Sequence, residues 1–104
     1  MMTITRKRGD NYPIKATIKV NGEAIDLTGS IVTFSFKLLE DSTDIPTSIV
    51  GDMDLDNIGV ITFSPTVEQM DTVGAYKFDI QRVSNSIVAT HLSGILLLDD
   101  DVSA

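Results

Sequence analysis

Apolar residues along this chain recur with a period of two, the spacing that lines one face of an extended strand rather than one face of a helix. Over residues 14–20, Ile14, Ala16, Ile18 and Val20 alternate with Lys15, Thr17 and Lys19, which predicts a strand with one wet face. Asn21-Gly22 follows, a pair that tolerates the positive φ values of a two-residue hairpin turn. Residues 24–27 are therefore expected to return antiparallel until Thr28-Gly29 closes the short strand. The clearest alternation lies in residues 31–39, where Val32, Phe34, Phe36 and Leu38 oppose Thr33, Ser35 and Lys37 and predict a central core strand. Residues 40–44 read as a polar connection. Ile45-Pro46 directs the next strand, around Ile49 and Val50, to a sheet edge, since proline has no N–H to give an interior ladder. Residues 3–6 make a second candidate edge strand.

Beyond an acidic loop, residues 58–63 read as another strand, with Gly59 permitting a bend or bulge at its start. Residues 64–70 leave the alternation: Pro65 suits a first helical position, and Glu68 and Gln69 suit a single turn. In residues 75–83, Tyr76, Phe78 and Ile80 alternate with Lys77 and Asp79, and the turn signal Asn85-Ser86 leads into residues 87–98, which predicts a terminal hairpin. Gly94 is expected to mark a bulge dividing the last strand. Residues 95–98 are apolar on both faces, as in a strand covered on both sides by protein, either of this chain or of an oligomer partner. About seven strands and no long amphipathic helix define an all-β antiparallel sandwich or barrel. A single domain over residues 1–104 is expected, with residues 99–104 as an acidic tail.

Composition narrows the chemistry. The chain has no cysteine, which removes disulfides, thiolate metal sites and cysteine nucleophiles, and it has one histidine, His91. Fifteen acidic against eight basic residues give a net charge of −7, which repels phosphate backbones, so nucleic acid is not an expected partner. The longest apolar run, residues 95–98, falls far short of the roughly 20 residues a bilayer requires, so no membrane span is expected. Arg6, Lys7 and Arg8 resemble the charged start of a signal peptide, but Gly9, Asp10, Asn11 and Tyr12 stand where the apolar stretch belongs, which predicts a cytoplasmically made protein.

Asp71, Gly74 and Tyr76 lead into a core strand in an Asp-x-x-Gly-x-Tyr arrangement that resembles the tyrosine corner of immunoglobulin-like domains. Phe78 stands where those domains place a disulfide cysteine, so packing alone must join the sheets. Asp52, Asp54 and Asp56 have the spacing that opens a calcium loop. The rest of that loop is missing, with Asn57 at the position of the turn glycine and Phe63 at that of the bidentate Glu, so a solvated acidic loop is the ordinary expectation and no cofactor is assigned. The same holds for Asp99, Asp100 and Asp101. His91 with Asp79 or Asp71 and Ser84, Ser86 or Ser93 matches no hydrolase motif, and the chain is expected to be non-enzymatic. Arg6, Lys7 and Arg8 concentrate basic charge near one terminus, opposite in sign to the acidic tail, and are a candidate contact for a protein partner or a symmetry mate packed head to tail.

In order, the motifs resemble the immunoglobulin-like N-terminal domain of phage baseplate upper proteins and small stand-alone phage proteins. Ile4, Arg6, Gly9, Asp10, Tyr12 and Pro13 match that family's approach to its first long strand. Ile25, Asp26, Leu27, Thr28 and Gly29 match the step into the strand bearing Val32, Thr33, Phe34 and Phe36. Gly59 to Phe63, then Gly74, Ala75, Tyr76, Lys77 and Phe78, then Thr90 and Gly94 follow in the family's order. The resemblance implies an immunoglobulin-like sandwich and a virion structural role in the tail, baseplate or a fibre attachment. It also implies assembly in the host cytoplasm and contacts with other virion proteins or with further copies of the chain. The alternative is a calcium- or glycan-binding module using the loop of residues 52–57.

Overall fold

A computed structural model describes residues 2–39 and 46–99; the expectations on residues 40–45 and 100–104 lie outside the described residues. Ten strands form: β1 Met2–Lys7, β2 Ile14–Thr17, β3 Lys19–Val20, β4 Glu23–Ala24, β5 Ile31–Leu38, β6 Thr47–Val50, β7 Asp52–Met53, β8 Val60–Phe63, β9 Gly74–Ser84 and β10 Ile87–Asp99. A single 3₁₀ turn, Glu68–Met70, separates β8 from β9. A five-stranded sheet in the order β1-β10-β9-β5-β6 faces a three-stranded sheet β2-β8-β7, and β3 and β4 make a separate hairpin. The result is the all-β sandwich with one short helical turn that the alternation predicts.

The core is where the two inner faces meet. Val32, Phe34 and Phe36 of β5, Tyr76, Phe78 and Ile80 of β9, and Leu96 and Leu98 of β10 close on Ile14 of β2 and Ile61 and Phe63 of β8. Phe34 lies at the centre, stacked on Phe78 at 5.0 Å between ring centroids and tilted against Phe63 of the opposite sheet at 5.6 Å. No disulfide is present, and these rings join the layers in its place.

Both hairpins form as their turn residues dictate. Asn21 and Gly22 take φ of 53° and 81°, and Asn85 and Ser86 take 51° and 66°, the paired positive values of a turn that matches strand twist. β6 lies at a sheet edge, paired with β5 on one side.

Several expectations need correction. The strands number ten rather than about seven, because two long segments change partner partway. The segment over residues 14–20 is one of these: Ile18 leaves the ladder, its N–H donating to the Gly59 carbonyl at 2.8 Å, and Val20 continues into the β3–β4 hairpin, where it is exposed. Not every pairing is antiparallel, since β1 runs parallel to β10. Pro65 does not open the helical turn, which begins after Val67. Instead Thr66 and Gln69 exchange hydrogen bonds, each backbone N–H donating to the other's side-chain oxygen at 2.8 and 3.1 Å, a reciprocal cap legible as Thr-x-x-Gln. Finally, the register shift in β10 falls between Thr90 and Leu92, at His91, not at Gly94.

Gly51 is the second point of exchange. Its N–H donates to the Val32 carbonyl at 2.8 Å, and there the chain crosses from β6 in one sheet to β7 in the other. A Cβ at Gly51 would stand 2.5 Å from Ile61 Cγ1 and 2.7 Å from Phe63 Cε1, so the crossing needs glycine for space. Asp52, expected in a loop, is consequently a strand residue opposite Thr62.

Candidate functional site

The corner residues sit where the 3₁₀ turn feeds β9. Tyr76 is buried, and its hydroxyl donates to the Thr72 carbonyl at 2.7 Å while its ring meets Phe36 edge-on at 5.5 Å. Asp71 ends the 3₁₀ turn and is exposed; Gly74 lies beneath Leu38, whose Cδ2 would be 3.1 Å from an added Cβ. Arrangement and packing both place the corner in the scaffold.

The three basic residues near the N-terminus are divided by the fold. Arg6 is 9% exposed, donating from Nη1 to the Tyr12 carbonyl at 2.8 Å and from Nη2 to the Pro13 carbonyl at 3.4 Å. Its guanidinium carbon lies 3.5 Å from the centroid of the Tyr12 ring. Arg6 thus ties β1 to the segment before β2. Lys7 is exposed at the end of β1 opposite Asp99, and Arg8 is half-buried with its N–H donating to the Asp99 carbonyl at 2.7 Å. Of the three, Lys7 is the exposed one at this corner.

In the acidic loop Asp54 turns inward on its own chain. Its carboxylate accepts from the Asp56 N–H at 2.8 Å, the Asn57 N–H at 3.3 Å and Asn57 Nδ2 at 3.2 Å. These bonds, the Asp56 N–H first, favour the charged form and lower its pKa. Asp26 is held low in the same way by the Thr28 hydroxyl at 2.7 Å and the Thr28 N–H at 3.0 Å. Asp52, Asp54 and Asp56 do not converge, and among the described residues no three His, Asp or Glu side chains gather to hold a metal ion.

His91 bulges out of the β9–β10 register, and its Nε2 is buried without a hydrogen-bond partner, as is Arg82 Nε. No serine hydroxyl engages that nitrogen. Burial, and secondarily the Arg82 charge, lower the His91 pKa from the ordinary 6.5. The unfolded chain therefore binds the proton more readily than the folded one, and stability that is full above the unfolded pKa declines as pH falls through 6.5. Because the chain has one histidine, the melting temperature is expected to fall between about pH 7 and about pH 5 in the parent and to stay level in His91→Gln. Equal pH slopes in the two proteins would assign the effect elsewhere.

The outer face of the five-stranded sheet carries a feature that needs strand register to be seen. Ile95 of β10, Lys77 of β9 and Lys37 of β5 form one row across it, and Leu97 and Ala75 the next. Ile95 and Leu97, expected to be covered, are half-exposed here, while Leu96 and Leu98 enter the core. Leu39, Lys77, Ser93, Gly94 and Ile95 line a hollow of about 340 Å³. A second hollow of about 310 Å³ lies against Lys37, Lys77 and Asp79.

The strands, their sheet order and the buried corner define a β-sandwich of immunoglobulin-like type. Among solved structures it is similar to the N-terminal domain of phage TP901-1 ORF48, with a TM-score of 0.59 at 13% identity, over 95% of this chain and 84% of that one. At that identity the likeness is one of fold. No family model matches the sequence. No curated protein matches it either.

Proposed function

We propose that this chain is a non-enzymatic structural protein of a phage or prophage virion, a tail, baseplate or fibre-attachment component that acts through protein–protein contacts. The observation that carries this reading is the fold likeness to a domain of a phage protein, which spans 95% of the chain. The ordered motifs from Arg6-x-x-Gly9-Asp10 to Gly94 support it independently. Contacts are available in two forms. Among the described residues β1 and β6 each pair on one side only, so their outer edges can extend into a partner's sheet. Lys7 and Arg8, beside the β1 edge, supply charge that orients such a contact.

Quantitative mass spectrometry of particles purified from an induced culture of the source strain tests this. Peptides at a fixed copy ratio to the other virion proteins are expected; absence from intact particles overturns the reading. A Lys7→Glu variant, at an exposed position, is expected to enter particles several-fold less efficiently with an unchanged melting temperature, since charges at an interface rim act on encounter more than on fold. Full incorporation of that variant would remove charge guidance from the mechanism.

A further inference from the structure

We infer that Arg82 and His91 together form a site for a carboxylate group supplied by a molecule other than this chain. Arg82 lies on β9 and His91 on β10, the strand hydrogen-bonded to it, and both residues are half-buried. Arg82 stands between Val32 and Ala89, one inner-face row beyond Phe34, Ile80 and Leu92, so a guanidinium is set at the margin of the core. The register shift between Thr90 and Leu92 inserts His91 as an extra residue two positions from Ala89, and there its imidazole comes under the guanidinium charge.

Buried polar atoms are normally hydrogen-bonded, and exceptions call for a cause. Among the described residues, Arg82 Nε and His91 Nε2 are the buried side-chain atoms without a partner, and both belong to this one place. Arg82 also makes no ion pair among the described residues, although the chain carries fifteen acidic side chains. The carboxylates of the same two strands are placed elsewhere. Asp79 belongs to the outward row with Ser35 and Ser93, and Asp99 ends β10 opposite Lys7. The charge that acts on His91 is that of Arg82, with no carboxylate beside it.

The two groups suit a carboxylate. A guanidinium offers its N–H donors as a planar fork that matches the two oxygens of that group, and a protonated imidazole adds a further donor. Turning either side chain toward a ligand breaks no hydrogen bond at Arg82 Nε or His91 Nε2, since neither atom has one to lose. One guanidinium and one imidazole balance a single acidic group, whereas the net charge of −7 disfavours a polyanion. Proton and ligand are then linked: imidazolium beside Arg82 lacks a counter-ion, the carboxylate supplies it, and each strengthens the binding of the other. This goes beyond the virion reading and does not depend on it.

Because the chain has one histidine, its imidazole resonances identify His91 directly in an NMR titration of the full chain. The probe is sodium acetate, compared with sodium chloride and with sodium sulfate at equal ionic strength. His91 is expected to bind its proton at least about threefold more tightly in acetate than in chloride. Arg82→Gln, checked for a parental melting curve, is expected to abolish that difference while making His91 easier to protonate in chloride, because a neighbouring cation is gone. Should that variant melt early, Arg82→Lys keeps the charge without the planar fork and is expected to lose most of the acetate response. Equal proton affinity in acetate and chloride, an acetate response that survives in the Arg82 variant, or a larger response to sulfate than to acetate overturns the inference. Particle mass spectrometry would still decide the virion reading separately.

Discussion

Replacing Phe34 by alanine is expected to lower stability by about 3–5 kcal/mol, the range for truncating a fully buried aromatic. That is a large share of the roughly 5–15 kcal/mol that holds a typical domain folded. Phe34 is completely buried and touches three other aromatic rings: Phe78 stacked at 5.0 Å, Phe36 at 5.9 Å and Phe63 at 5.6 Å. Two of these neighbours belong to its own sheet and Phe63 to the other, so the cavity left behind would sit between layers that no disulfide connects. Val50, exposed on the neighbouring edge strand, is the control: Val50→Ala is expected to stay within about 0.5 kcal/mol. Urea midpoints for the two variants check both numbers. A loss under about 1 kcal/mol at Phe34 would mean that the aromatic cluster is not the junction between the sheets.

What the sequence makes legible here is what neighbouring residues decide. Phe34 and Phe36 alternate with polar partners and enter the core, and Asn21-Gly22 and Asn85-Ser86 adopt the positive φ values that their chemistry tolerates. Features set by distant partners are not legible. Gly51 gives no local sign that it carries the chain between sheets, because the reason is the space taken by Ile61 and Phe63. Arg6 in a run of cations reads as surface charge until Tyr12 and Pro13 fold over it. The same limit applies to the sites. The row that sets Lys37 opposite Lys77 with Ile95 beside them exists only through register, which no local stretch of the sequence states.

Gly94 is the position where this distinction yields its sharpest expected result. A glycine inside a strand reads as a bulge, yet the register runs evenly through Gly94, paired with Phe78 on one side and Met2 on the other. An added Cβ would run into the Met2 carbonyl oxygen and lie 3.0 Å from Phe78 Cε1. The glycine therefore serves the close approach of β1, the parallel edge strand, across nearly the whole chain. Gly94→Ala is expected to cost about 1–3 kcal/mol, the ordinary range for overpacking, because the obstacle includes backbone and not only a side chain that can rotate away. The relief open to the structure is for β1 to withdraw from β10. Hydrogen exchange should then show early loss of protection in the β1–β10 pairing while β5 and β9 stay protected. Since β1 ends in Lys7 and holds the Arg6 tie to Tyr12 and Pro13, the same variant should also enter particles poorly if that edge makes the contact. Unchanged protection of β1 together with parental stability would show that the strand tolerates a side chain there, and that β1 is not held by the space Gly94 leaves.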